Sequence, residues 1–342
     1  MKRPRESIIP VFVPHLGCPN NCVFCNQNRI SGAERPATPQ TVTDAVEQAK
    51  LVLPEAVRPQ LAFYGGSFTA IPKDEQTALL ERAKTYLDEG YLSSIRLSTR
   101  PDAIDGEVLR RLKYYGVETV EIGAQSMCDE VLALSGRGHT ADDVSEASRM
   151  IKTEGFRLIL QMMTGLPGDS LERSVLTAER IISLKPDGVR IYPTVIVKDT
   201  VLCDQWKAGR YTEHSVEEAV NYCSVLLPMF EQALIPVIRL GLNPTDELSC
   251  GTAVAGAYHP ALGELVKSRI MRNKAEELLR PLAERAEGAD CVLGVGKANI
   301  SQLTGQHRCN VDYLIDMFNM HSLKIKAADV LDNGVILLSL EK

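Results

Sequence analysis

No apolar run in the 342-residue sequence approaches the ~20 residues that a membrane-spanning helix needs, so no membrane partner is expected. The start, Met1-Lys2-Arg3-Pro4-Arg5-Glu6, is not followed by a signal-type stretch, and the expectation is a cytoplasmic protein. A disulfide framework is missing as well. The 9 cysteines are odd in number, and outside one loop they scatter to Cys128, Cys203, Cys223, Cys250, Cys291 and Cys309, which fits a reducing compartment. There is no surplus of basic charge: 38 Lys and Arg face 44 Asp and Glu, a formal net charge of −6. Any nucleic-acid contact would therefore need a local patch. Internal repeats and low-complexity linkers are absent, and nothing signals an oligomeric state. What remains is an ordinary globular composition, 44% hydrophobic and 24% charged, long enough for one large α/β domain and a smaller one.

Against that background one loop stands out. Cys18, Cys22 and Cys25 form a C-x3-C-x2-C run directly after the apolar stretch Ile8–Val13. Iron–sulfur clusters are held by thiolates, and a cubane cluster normally takes four. Three cysteines would leave one iron open to a small molecule. Two other readings compete at this point. His15, three residues before Cys18, would complete a zinc site of three cysteines and one histidine. Buried cysteines can also pack simply as small hydrophobes.

The rest of the chain alternates strand-like and helix-like segments. Strands are expected near 61–64, 95–98, 117–122, 156–162, 188–192 and 236–240. Helices are expected over about 39–52, after Pro72, and over 107–115, 141–154, 171–184 and 216–233. Thr38-Pro39 supplies an N-cap and a proline at the first helical position. Such alternation predicts a parallel sheet with right-handed crossovers, closed partly or fully into a (β/α) barrel of the TIM type. Chemistry in barrels of this kind sits at the C-terminal strand ends. Five successive strand ends here are polar or glycine-rich, beginning with the cysteine loop. The barrel is expected over 8–240. A small α/β domain is expected over 241–342, with a long helix near 263–286 and strands near 291–295, 323–325 and 335–340.

The order of motifs then resembles a known family. The cysteine loop is followed by Gly65-Gly66, Gly123-Ala124-Gln125-Ser126, Arg137-Gly138-His139-Thr140 and Gly165-Leu166-Pro167-Gly168. This is similar to the radical S-adenosylmethionine superfamily, more distantly to oxygen-independent coproporphyrinogen oxidase and more closely to the radical domain of the Elongator catalytic subunit. Ser98-Thr99-Arg100-Pro101-Asp102 resembles that family's Glu-Thr-Arg-Pro-Asp. Ile191-Tyr192-Pro193-Thr194-Val195, Lys198-Asp199-Thr200 and Trp206 match a further signature. The likeness covers about 8–240, and no acetyltransferase signature is found in 241–342. The Elongator-type carboxymethylation therefore does not carry over whole.

The resemblance implies a [4Fe–4S] cluster on Cys18, Cys22 and Cys25, with S-adenosylmethionine as second cofactor. It implies cofactor contacts from Gly65, Gly66, Ser67, Ser98, Arg100, Gln125, Arg137 and Gln161. Gly65 and Gly66 let the methionine amino group approach a strand end without a Cβ in the way. Gln125 would meet the ribose, and Arg137 the methionine carboxylate. Ser98 stands where the Elongator family has glutamate, and Gln161 where related enzymes have aspartate; both can still hydrogen-bond. The implied activity is hydrogen abstraction from an organic substrate, with tRNA first. An electron donor of flavodoxin or ferredoxin type is the implied partner. Rival readings are a radical enzyme acting on a small molecule or tetrapyrrole, and a non-catalytic metal protein that binds RNA or heme. On the substrate side, Lys198, Arg239, Tyr258-His259-Pro260 and Gly305-Gln306-His307-Arg308 are candidates. Each also reads as an ordinary surface or loop residue. Zinc at Cys203, Cys223 and Cys250 is disfavoured by their spacing.

Overall fold

The computed structural model describes residues 7–13, 22–26, 36–242, 251–330 and 334–342. His15, Cys18, Cys250 and residues 243–245 of the loop-like stretch 241–245, where the two expected domains meet, lie outside the described residues. The chain divides into two compact units, residues 1–215 with 229–258, and residues 216–228 with 259–342.

The first unit is built on one parallel sheet. It runs in order through β1 (Ile8–Val13), β2 (Gln60–Gly65), β3 (Ser94–Thr99), β4 (Val117–Gln125), β5 (Arg157–Thr164) and β6 (Gly188–Pro193). The next strand, β7 (Val195–Val197), leaves the sheet, and β8 (Val237–Leu240) takes the edge beside β6. Sequential parallel strands joined by right-handed crossovers keep their helices on one face and curl the sheet, which gives the expected partial barrel. The helix Pro39–Val52 begins as its sequence signals require. Thr38 accepts from the Thr41 amide at 3.4 Å and Pro39 opens the first turn. A cap of this kind is worth about 1 kcal/mol.

Side chains alternate between two faces along each strand. The outer set, including Leu61, Phe63, Ile95, Leu97, Val120, Ile122, Leu160, Val189 and Ile191, is fully buried. The inner set mixes apolar residues such as Ile159 and Met163 with polar and charged ones, Tyr64, Arg96, Glu121, Arg157, Gln161, Arg190 and Arg239. One pairing escapes sequence reading. β7 joins β9 (Ala253–Gly256) as an antiparallel pair outside the barrel sheet. The short Ala-Val-Ala-Gly run has too little alternation to announce a strand.

The second unit holds a three-stranded sheet with β10 (Asp290–Val295) at its centre, β11 (Ser322–Ala327) parallel to it and β12 (Val335–Glu341) antiparallel. Its core gathers Leu279, Leu293, Val295, Leu303, Leu314 and Phe318. The long helix expected near 263–286 is broken. It runs as Leu262–Leu279, and a 3-10 turn, Arg280–Leu282, precedes the short helix Ala283–Ala286. Pro281 lacks the N–H that would continue the ladder, and its ring clashes with the preceding turn.

Candidate active site

The C-terminal ends of β1 to β5 bring the motifs to one edge of the sheet. Val13 pairs with Gly65 in register, so the chain leaves β1 toward the cysteine loop beside the Gly65-Gly66 turn. Gly65 has φ 99°, a conformation that a Cβ penalises, which accounts for glycine there. Gly66 is half-buried and Ser67 buried.

Cys22 and Cys25 sit half-buried in a tight turn, with the Cys25 amide donating to Cys22 O at 3.1 Å. The residues between and beside them anchor that turn. Val23 N donates to Ser135 O at 3.1 Å, and Leu202 N donates to Val23 O at 2.8 Å. Val23 is buried with Ile196, Leu202 and Cys203, and Phe24, Trp206 and Tyr211 pack against the same cluster. Asn26 Nδ2 reaches Asp199 O at 3.2 Å. The 191–211 stretch thus has a physical task that its motif did not state: it clamps the cysteine turn.

Arg137 lies across this edge. Its Nη1 donates to Cys22 Sγ at 3.3 Å and its Nη2 to Gly123 O at 2.6 Å. Arg100 stands behind it. The Arg100 guanidinium donates to Arg137 O at 2.6 Å and grips Asp102 with two bonds of 2.9 and 3.0 Å. Gln125 occupies a bulge at the end of β4 with φ 66°, an uncommon backbone for a residue with a Cβ. Its Oε1 is buried and has no hydrogen-bond partner among the described residues. A buried acceptor without a donor is costly, and it suits a ligand hydroxyl or amine.

Gly123, part of the glycine-containing strand end, lies where an added side chain would crowd its neighbours. A Cβ there would lie 3.1 Å from the Gln125 amide and 3.3 Å from the Arg137 guanidinium. Behind the strand, His139 is buried with Nε2 3.2 Å from Ala124 O. Burial, reinforced by the Arg137 charge, pushes its pKa down to about 4 and keeps the ring neutral. The Gly165 turn is shaped from two sides. Asp169 accepts from the Gly165 amide at 2.8 Å, and Tyr211 OH donates to Gly165 O at 2.6 Å. Gly165 has φ 73°, and the His214 ring occupies the space of a Cβ.

Deeper on the inner face, Glu121 is completely buried and accepts from four side chains. Tyr64 OH donates at 2.8 Å, Arg96 Nε at 2.9 Å, Gln161 Nε2 at 3.0 Å and Arg190 Nε at 2.8 Å. Burial acts to raise the Glu121 carboxyl, but the Arg190 and Arg96 charges overcome it and hold it below the usual carboxylate range. Gln161 is therefore part of a charged network, and Ser98 is the register partner of Glu121 on the neighbouring strand. Sequence reasoning missed Arg96, Glu121 and Arg190. Charged residues in mid-strand, between apolar neighbours, were the available signal.

The remaining candidates separate. Arg239 lies in β8, where a strand is expected near 236–240, as the register partner of Arg190. Lys198 is exposed just after β7. In the second unit, His259 Nδ1 accepts from the Ala261 amide at 3.1 Å, a local turn contact, while His307 and Arg308 sit exposed in a turn between two helices. Cys203 is buried, and burial pushes the Cys223 thiol up to about 12. Among the described residues no group of three His, Cys, Asp or Glu could hold a metal. A three-cysteine set that includes Cys18 extends beyond those residues. No helix among the described residues is long and apolar enough to cross a membrane.

Comparison with known proteins agrees with this geometry. The model of the Radical SAM superfamily matches residues 12–181, and that of the Radical SAM C-terminal domain matches residues 186–272. Elongator complex protein 3 of Homo sapiens is 27% identical over 246 residues, covering 66% of this chain and 44% of that protein. A tRNA uridine(34) acetyltransferase of Methanocaldococcus infernus is 25% identical over 300 residues, covering 76% of this chain and 55% of that protein. The chain thus spans about half the length of the curated relatives it matches. Among solved structures, archaeal Methanocaldococcus infernus Elp3 superposes with a TM-score of 0.61 at 23% identity, covering 79% of this chain and 63% of that one. That likeness establishes a common fold.

Proposed function

Because this chain belongs to the radical SAM superfamily, an enzyme family that uses a [4Fe–4S] cluster and S-adenosylmethionine, we propose that it abstracts hydrogen from an organic substrate, and that this substrate is a nucleotide of tRNA. The observation that carries the reading is the Arg137 guanidinium, 3.3 Å from Cys22 Sγ and clasped to Gly123 O, beside the unpartnered Gln125 Oε1. Cys18, Cys22 and Cys25 would hold the [4Fe–4S] cluster, with S-adenosylmethionine as the second cofactor beside it. When bound, the two cofactors supply a carbon-centred radical that no side chain can generate.

The protein's own groups have separable tasks in this reading. Gly65 and Gly66 expose backbone to the methionine amino group. Gln125 Oε1 accepts from a ribose hydroxyl. Arg137 balances thiolate charge and faces the methionine carboxylate, and Arg100 fixes the Arg137 backbone. The Val23 clamp keeps Cys22 and Cys25 at a constant spacing. The inner face receives the substrate. The tRNA component is supported by the relatives, one of which carries tRNA uridine in its name. A low-potential donor of flavodoxin or ferredoxin type would supply the electron.

The test is reductive cleavage of S-adenosylmethionine by anaerobically reconstituted protein, beside a Cys22→Ala variant. The expected result is 5′-deoxyadenosine from the native protein and none from the variant. Transfer of deuterium from labelled total tRNA into that product would then identify the substrate. A fully iron-loaded native protein that makes no 5′-deoxyadenosine would sink the catalytic reading.

A further inference from the structure

Charge is unevenly matched on the inner face of the barrel sheet. Four arginines stand there, Arg96, Arg157, Arg190 and Arg239, and among the described residues the inward positions of the seven strands carry a single carboxylate, Glu121. Arg96 and Arg190 share that carboxylate, whereas Arg239 pairs with no carboxylate among the described residues. The inner-face phenols do not supply the missing negative charge, because burial raises both Tyr64 and Tyr192 and keeps them neutral.

Arg96, Arg190 and Arg239 are not equivalent. Arg96 is buried, and its donors go to Glu121 and to Gln60 Oε1 at 2.9 Å. Arg190 reaches Glu121 with Nε and Nη2, and Nη2 also lies 3.1 Å from Tyr64 OH. Arg239, on the neighbouring strand, donates Nε to Gly241 O at 2.9 Å and Nη2 to Leu242 O at 2.8 Å. Those carbonyls orient the fork without cancelling its charge. Burial and the nearby Arg190 both disfavour the charged Arg239, although it remains an arginine and stays protonated. Two like charges held on adjacent strands, partly out of water, are unfavourable until an anion sits between them. A planar guanidinium fork is well matched to carboxylate and phosphate oxygens.

We propose that Arg239 and Arg190, with Tyr192 beside them, form a subsite for an oxyanion of the substrate, either a phosphate or a carboxylate. This rests on the reading of the inner face as the substrate chamber. β8 is the edge opposite β1, the strand that leads to the cysteine loop. The subsite holds one end of the substrate on the β6–β8 side of the inner face. A nucleotide would offer its phosphate, and a small acid its carboxylate.

The experiment is anaerobic equilibrium dialysis of reconstituted, S-adenosylmethionine-saturated full-length protein at low salt. The probes are inorganic phosphate, uridine 5′-monophosphate, uridine and succinate, each tested against the native protein, Arg239→Gln and Arg239→Lys. At least one anion should bind saturably. Arg239→Gln should weaken it about tenfold, and Arg239→Lys, which keeps the charge but loses the fork, should weaken it less. Uridine 5′-monophosphate binding without uridine binding identifies a nucleotide source, and succinate binding identifies a carboxylate source. Iron content and S-adenosylmethionine binding should be unchanged in both variants, which shows that the barrel is intact. The subsite is overturned if no anion binds the native protein, or if Arg239→Gln binds it as tightly. Normal 5′-deoxyadenosine formation without anion binding removes the subsite alone; anion binding without cleavage removes the radical reading and leaves the subsite standing.

Discussion

Replacing Glu121 by glutamine keeps the shape of the side chain and removes its charge. The carboxylate is completely buried, and Arg96 Nη2 and Arg190 Nε lie 2.7 and 2.8 Å from its oxygens. At an effective dielectric of 20, one unit-charge pair about 4 Å apart is worth ~4 kcal/mol. The cost of burying Glu121 disappears with the charge and offsets part of that loss. The variant also turns an amide donor toward groups that are already donors. Removing one member of a buried pair typically costs about 3–5 kcal/mol, and that is the loss expected here. The readout is urea unfolding followed by the fluorescence of Trp206, the 1 tryptophan of the chain, which lies in the barrel unit. Adding Arg190→Gln should recover part of the loss, so that the double variant is at least ~1 kcal/mol more stable than the sum of the single changes. A Glu121→Gln protein within about 1 kcal/mol of native would mean that the network is solvated, and the inner-face argument would fall with it.

Three other outcomes follow from the same geometry. Gly123→Ala would press a methyl group toward Gln125 and Arg137, so S-adenosylmethionine binding should weaken about tenfold by equilibrium dialysis; unchanged affinity would remove Gly123 from the site. His139 has a folded pKa near 4, below the ordinary 6.5, so the unfolded chain takes up its proton first as pH falls. Its contribution, up to about 3 kcal/mol, is present above pH 6.5 and lost toward pH 4. His139→Gln should flatten the fall in urea midpoint between pH 7 and 4.5, and equal slopes would contradict the buried neutral ring. Trp206→Ala loosens the clamp on Val23 and Phe24, so less iron should be retained after anaerobic reconstitution and desalting; native iron content would show that the clamp is dispensable.

Local sequence was enough to read the motifs. Cys18, Cys22 and Cys25 stand out by their spacing, whereas the Gly65-Gly66 turn, Gln125 and Arg137 are singled out by the resemblance of their motifs to those of a known family. The alternation of strand and helix likewise predicts the barrel, since crossover handedness leaves a parallel sheet few alternatives. Partnership over long distances along the chain was another matter. Glu121 meets Tyr64, Arg96, Gln161 and Arg190, residues 57, 25, 40 and 69 positions away. Those contacts depend on the register between strands and on which face each side chain takes. The same holds for Arg137 on Cys22, 115 positions apart, and for the pairing of β7 with β9. A sequence states which groups are present and which local conformations they favour. Only the folded sheet decides which charges stand side by side, because a shift of one residue in register would turn the side chains of that strand to the opposite face.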